Sequence, residues 1–232
     1  MRSVAVVVQA CPAPGRPGWE QVRAAIEASD IGYNYRVCFQ SPNRTIREHF
    51  LDTLRSGASL GRDLVLRLED DVDVNQYILE NLVNWPALDD DRFGLGWAFD
   101  PGGSAQSGFD RKHRRVVPAT RWSRKPLAYA QGVLLYTRDV DWICAGCERW
   151  FQTHDSPCAQ DMAMTATVTE AGKSIAVHSP SLLEHLTALP STLGHNHVGN
   201  RVAHSNGTFL RTWRRSDPVL DRHGRPLTLR TG

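Results

Sequence analysis

The 232-residue sequence predicts an α/β protein built on a mainly parallel sheet flanked by helices. Three observations carry that prediction. The first strand, Val4–Gln9, is a nearly continuous β-branched run, the pattern of a strand buried on both faces. Strand and helix patterns then alternate up to residue 68, as in sheets with right-handed crossovers. Four acids in five residues, Glu69-Asp70-Asp71-Val72-Asp73, follow the third strand directly. Strand ends of this kind are where open α/β sheets bind ligands.

The elements follow in order. After the first strand, Cys11 to Gly18 is too rich in Pro and Gly for regular structure. Trp19–Ser29 reads as a helix with Val22, Ala25 and Ile26 on one face, and Tyr35–Gln40 as the second strand. A turn at Ser41-Pro42-Asn43 leads into a helix over Thr45–Ser56, whose end is punctuated by Gly57 and Gly61. Asp63–Leu68 is the third strand, apolar after its first residue except for Arg67. A helix is expected over Asn75–Asn84, a strand over Phe93–Phe99, and a long loop over 100–126, where apolar periodicity is lost. Leu127–Thr137 is predicted as a strand, Asp139–Thr153 and Gln160–Ala171 as helices, and Ser174–Val177 as a short last strand. The final fifty residues lack periodicity and form an irregular C-terminal segment. The expected organisation is a domain over 1–195, with halves 1–100 and 101–195, and an Arg/His-rich extension over 196–232 packed on it.

Composition sets outer bounds. With 41% hydrophobic and 22% charged residues, the chain is neither disordered nor fibrous. No apolar run approaches the length of a membrane helix. Val4–Val8 is too short for a secretory signal, and five Cys do not suggest a disulfide framework, so a cytoplasmic protein is expected. Charge is unevenly spread: residues 1–100 carry 10 Lys/Arg against 15 Asp/Glu, and residues 101–232 carry 17 against 10.

The acid cluster carries the chemistry. Crowded carboxylates repel one another unless a cation compensates. Oxygen ligands at a sheet rim suit Mg²⁺ or Mn²⁺, which keep waters and bridge to substrate phosphates. Capping of the next helix explains one or two of these acids, not four.

Leu66-Arg67-Leu68-Glu69-Asp70-Asp71-Val72 resembles the DxD region of glycosyltransferases with the GT-A fold. Three further segments resemble the family in order: Ala130–Arg138 with Gly132, Ala159–Met164 with Asp161, and Pro180–Leu186 with His185. The resemblance covers residues 4–195. It implies a Rossmann-like, mixed but mainly parallel sheet and a metal-dependent transfer of sugar from a nucleotide sugar, UDP-sugar foremost, to an acceptor hydroxyl with inversion. Asp71 is then the direct metal ligand, with Asp73 a substitute and His185 the C-terminal ligand; His178, His195 and His197 are its rivals. Glu69 and Asp70 would meet the ion's waters, the ribose or the sugar. Gln9 and Ala10 would lie by the base and ribose, Asn43, Arg44 and Arg47 by the base or diphosphate, and Gly132 in the donor-sugar wall. Asp161 would take the acceptor's proton, or else cap its own helix.

Two segments remain. From Arg111 to Lys125 there are seven Lys/Arg and no acid. Arg111, Lys112, Arg114 and Arg115, with Trp122, suggest an anionic acceptor, DNA carrying a hydroxymethylated base, or else a lid over the donor serving a glycan or small-molecule acceptor. Cys144, Cys147, His154 and Cys158 form a conceivable zinc set, with buried thiols the default. The competing readings of the chain are a non-catalytic nucleic-acid binder and a Mg²⁺-dependent nuclease or nucleotidyltransferase.

Overall fold

The computed structural model describes residues 2–10, 19–99, 109–110, 115–116, 119–124, 131–154, 159–186 and 211–214. In chain order the elements are β1 (Val4–Ala10), α1 (Trp19–Glu27), β2 (Tyr35–Phe39), α2 (Ile46–Ala58), β3 (Leu64–Glu69), β4 (Val72–Val74), α3 (Ile78–Val83) and β5 (Phe93–Trp97). Then come β6 (Phe109–Asp110), β7 (Arg115–Val116), β8 (Ala119–Ser123), β9 (Gly132–Tyr136), α4 (Val140–Thr153), α5 (Gln160–Glu170), β10 (Ser174–Ser179) and β11 (Leu183–His185).

Seven strands form one sheet in the order β2-β1-β3-β9-β5-β10-β8, and β4 with β11 and β6 with β7 form two small ribbons. Within the sheet β1, β2, β3, β5 and β10 point the same way, while β9 and β8 run against them. The sheet is thus mixed and mostly parallel, with helices on both faces. Alternation in β1 divides the core: Val6 and Val8 face α1, α3 and the β4–β11 ribbon, and Val7 faces α2, α4 and α5. Among the described residues no helix is long and apolar enough to cross a membrane.

Three sequence expectations need correction. The loop expected over 100–126 contains β8, an antiparallel edge strand beside β10; its polar residues disguise it, because an edge strand packs on one partner only. The final fifty residues, expected to be irregular, contain β11, which pairs with Val72–Val74 at the end of the acid cluster; the two valines of that short strand are buried. The helix expected over Asn75–Asn84 therefore shrinks to Ile78–Val83.

Helix α2 starts as its sequence asks. Thr45 caps it: Thr45 Oγ1 accepts from Glu48 N at 3.2 Å, and Glu48 Oε2 accepts from Thr45 N at 2.8 Å. Since β2 ends at the carboxyl rim of the parallel strands and β3 begins at the other, α2 presents its first turn at the carboxyl rim. By the same reasoning α5, which leads back to β10, also begins there, as does the antiparallel β9.

Candidate functional site

The chain leaves β1 for β2 on one side and then returns to β3 on the other. That reversal of strand order makes a topological switch point at the carboxyl ends of β1 and β3, the place where open α/β sheets bind ligands. Gln9 and Glu69 are register partners there, and Glu69 N donates to Gln131 O at 3.0 Å. Past Glu69 the chain turns through Asp70 and Asp71 into β4. Pairing of Val72 with His185 carries β11 to the acids, and Leu186 N donates to Asp71 O at 2.8 Å. The side chains meet as well: His185 Nε2 lies 3.2 Å from Asp71 Oδ2, across 114 residues of sequence. Both expected metal ligands thus share one point at the rim.

Beneath them lies a buried cation. Arg67 is fully buried, and its guanidinium lies 5.3 Å from the centre of the Phe50 ring. Its Nε and Nη2 donate to Gln9 Oε1 at 2.9 and 2.6 Å, and Nη2 donates to Glu69 Oε1 at 3.1 Å. Such a charge is tolerated only when paired and hydrogen-bonded. Burial pushes the Glu69 carboxyl up to about 7; Arg67 opposes the shift and Asp71 adds to it. Beside this group the His49 ring is hydrogen-bonded to the Ala10 carbonyl, and burial holds it below its usual range.

Among the described residues no three His, Cys, Asp or Glu side chains converge to hold a metal ion alone. Two octahedral ligand atoms, each about 2.1 Å from Mg²⁺, lie about 3.0 Å apart. The Asp71–His185 pair, at 3.2 Å, has nearly that separation, and an ion bound between the two would take the place of any proton they share. Two protein donors fit an ion that completes its shell with water and substrate phosphate, not a self-sufficient metal site. Asp73 is engaged elsewhere: Oδ1 accepts from Val74 N at 2.9 Å, and Arg211 Nη2 lies 3.6 Å from it. His178 is buried, its Nδ1 2.8 Å from Pro180 O and its ring edge-on to Trp85 and Trp213. His195 and His197 lie outside the described residues.

The remaining expected site residues divide. Asp161 stands in the first turn of α5 at the same rim, inside the helix rather than at its N-cap, which is Ala159, and its Oδ1 accepts from Met162 N at 2.8 Å. Gly132 opens β9 at the rim, where a Cβ would come within 2.1 Å of Leu183; the glycine seats the ribbon that carries His185. Arg47 donates to Phe151 O and His154 O, so it ties α2 to the carbonyl end of α4. Arg44 pairs with Glu48 and Asp52 on the surface, and Asn43 is exposed beside it. Arg44 and Arg47 line an open groove of about 550 Å³ between α2 and α4. A second cleft, of about 430 Å³ and lined by Asp89–Asp91 and Lys173, lies at the opposite rim. Trp122 is placed far from the acids: it pairs with Ala176 near the start of β10, and Arg92 lies 4.5 Å over its ring. Arg111, Lys112 and Arg114 lie outside the described residues, and of Arg115 only the backbone, in β7, is described. Cys144 and Cys147 are buried in the core, burial pushing their thiols up to about 11 and about 12, while His154 stacks on Trp150. Cys158 lies outside the described residues.

Sequence reasoning missed one group entirely. His49 Nε2, Trp97 Nε1, Gln131 Oε1 and Gln160 Oε1 are buried with no hydrogen-bond partner among the described residues. Each such atom costs about 1–3 kcal/mol. The signal available in the sequence was faint: a Gln ahead of each of two expected site residues, Gly132 and Asp161.

No protein-family model and no curated protein matches the sequence. Solved structures resemble the fold distantly. A glycosyltransferase involved in the glycosylation of the major capsid of PBCV-1 aligns at 16% identity and a TM-score of 0.47, over 78% of this chain and 93% of that one. A cytidylyltransferase from Leptospira borgpetersenii serovar Hardjo-bovis aligns at 13% identity and 0.40, over 74% and 73%. A CMP:2-keto-3-deoxy-manno-octonic acid synthetase complexed with CTP aligns at 12% identity and 0.41, over 75% and 88%. Likenesses this distant carry no argument about activity.

Proposed function

We propose that the protein is a glycosyltransferase that moves a sugar from a nucleoside-diphosphate sugar, UDP-sugar foremost, to an acceptor hydroxyl. One observation carries the reading: Asp71 and His185 meet at 3.2 Å on the carboxyl rim, with Glu69 beside them. Asp71 and His185 would hold Mg²⁺ or Mn²⁺ there, and such an ion would supply positive charge for a leaving diphosphate. Arg67 holds Glu69 from below, so that the rim keeps its acids in place. Asp161, on the first turn of α5, takes the acceptor proton as the hydroxyl oxygen bonds to the anomeric carbon. The bond from that carbon to the diphosphate oxygen breaks with its electron pair, and the nucleoside diphosphate departs. The basic run from Arg111 supports an anionic acceptor, with DNA bearing a hydroxymethylated base as the first substrate to assay.

The test is a thermal-shift titration of UDP, GDP and CDP with and without Mn²⁺, followed by a sugar-transfer assay. Ligand that binds only the folded state raises Tm. The expected result is a Tm rise that needs nucleotide and Mn²⁺ together and disappears in Asp71→Asn. Asp161→Asn should keep that rise and lower turnover by about 10²–10⁴-fold. An unchanged Mn²⁺-dependent rise in Asp71→Asn overturns the site. Metal-dependent cleavage of DNA without sugar nucleotide, or pyrophosphate release from a nucleoside triphosphate, overturns the reaction.

A further inference from the structure

Strand β2 is one edge of the seven-stranded sheet, and it lacks the usual protection of an edge. Its five residues pair with β1 in unbroken register, so no bulge twists it away. It contains no Pro and no Lys, and none of its side chains is buried, whereas every residue of β5 is. Its one charge is folded back onto α2: Arg36 Nη1 donates to Ser56 Oγ at 3.0 Å and to Ser56 O at 3.4 Å. Exposed apolar surface gathers along the same edge. Among the described residues four large apolar side chains are exposed: Tyr33, Phe39, Leu60 and Met162. Three of them flank β2. Phe39 ends the strand and is 62% exposed, and Tyr33, 81% exposed, stands two residues before the strand begins. Leu60 follows Ser59, whose Oγ accepts from Arg36 Nη1 at 3.5 Å. A bare edge is a template for another strand, and a clustered apolar patch marks an interaction site.

We infer that β2 is a self-association edge: a second copy of this chain pairs with it, antiparallel, across a two-fold axis at Val37. The strand's own sequence, Tyr-Arg-Val-Cys-Phe, selects that occupant. A two-fold contact must be complementary to itself. Turning the strand about Val37 sets Tyr35 opposite Phe39 of the second copy, and Val37 opposite its own counterpart. Tyr35, Val37 and Phe39 are register partners of Val6, Val8 and Ala10, so all three share the face of α1. Trp19 already packs edge-on against Phe39 there, with ring centres 6.3 Å apart. Tyr33 becomes the diagonal neighbour of Phe39 of the second copy, within reach of an aromatic side chain. Each half of the seam thus gathers four aromatic rings: Tyr33 and Tyr35 of one copy, Trp19 and Phe39 of the other. On the other face Arg36 stands opposite Cys38 of the second copy, so no like charges meet. A strand of unrelated sequence gains the backbone hydrogen bonds but not these matches. Because the paired strands run in opposite directions, the two carboxyl rims face opposite ways. The acid cluster follows β3, two strands in from the edge, and so lies outside the seam.

The test is analytical ultracentrifugation of the full chain at about 50 μM, a concentration at which a dimer of micromolar Kd is mostly formed. The expected mass is twice the 25.9 kDa of one chain. Val37→Lys sets two ammonium groups opposite each other at the axis, and should give a folded monomer with an unchanged circular dichroism spectrum. A disulfide trap decides the matter if that variant does not fold. With Val37→Cys in a Cys38→Ser background, the two new thiols are direct cross-strand partners. Their Cα atoms lie about 4.5–5.5 Å apart, a span that a disulfide bridges. Mild oxidation should then give a covalent dimer on a non-reducing gel, and Cys38→Ser alone should give none. A wild-type chain that sediments as a monomer at this concentration overturns the inference. So does a dimer that survives in folded Val37→Lys, or a wild-type dimer whose Val37→Cys trap stays unlinked, since either puts the contact elsewhere on the molecule.

Discussion

Single residues at the rim are held against their own chemical preference. Arg67 is charged and fully buried, Glu69 is drawn toward protonation, and His49 is kept neutral. His49 has a consequence for stability. Its pKa in the fold lies below the ordinary 6.5 because burial disfavours the imidazolium, and the unfolded chain titrates normally. Stability from this residue is therefore fully present above the unfolded pKa and is lost as pH falls through 6.5 toward the folded value. His49→Gln should flatten that part of the pH profile, measured as the urea midpoint from about pH 7.5 to pH 5.5. A mutant profile that falls as steeply as wild type would show that His49 titrates normally in the fold. Neither His49 nor Arg67 stood out in the sequence as a site residue. Each reads as one polar residue in an apolar pattern, and its meaning comes from partners such as Ala10 and Gln9, tens of residues away.

At the scale of elements, the β4–β11 ribbon does the assembling. Its three residue pairs bring His185 to Asp71, and its seat on the sheet depends on Gly132. Gly132→Ala should cost about 1–3 kcal/mol, because Leu183 must shift to admit a methyl group. Its Tm should drop, and Mn²⁺-dependent nucleotide binding should weaken with it. Wild-type stability would mean that Leu183 repacks freely and that the glycine is there for some other reason. The helices are better advertised. The Thr45–Glu48 capping box was visible as a Thr followed three residues later by Glu, and α2 begins where that signature puts it. Helix α3 is capped from a distance instead: Asp30 accepts from Leu79 N and Glu80 N at 2.9 and 2.8 Å. A cap supplied by a residue nearly fifty positions earlier leaves no local signal.

Across the whole molecule, residues 211–214 close the structure on the α1/α3 face. Asn75 and Asn81 both donate to Trp213 O, at 2.9 and 3.2 Å, and Arg211 O accepts from Gln76 N at 2.8 Å. Arg214 pairs with Glu80 at 2.6 Å, and Arg211 reaches Asp73. Trp213 is 9% exposed and belongs to the same core cluster as Trp85. Trp213→Ala should lower stability by about 3 kcal/mol, as truncation of a buried aromatic does, and free Arg211 from its place beside Asp73. Equilibrium unfolding in urea reads the first effect. A loss below about 0.5 kcal/mol would class the residue with ordinary surface positions.

The amino-acid sequence by itself determined the alternation of strands and helices through residue 68, the buried character of the strands, the start of α2 and the place of the acid cluster at a strand end. These are local properties: side-chain shape, periodicity and capping act over a few residues, and so can be read from them. The order of strands beyond β3, the reversal of β9, the meeting of Asp71 with His185 and the burial of Arg67 were decided only by the tertiary structure. Each depends on which surfaces pack together across a hundred residues, and packing free energy is spread over many contacts that no short stretch of sequence contains.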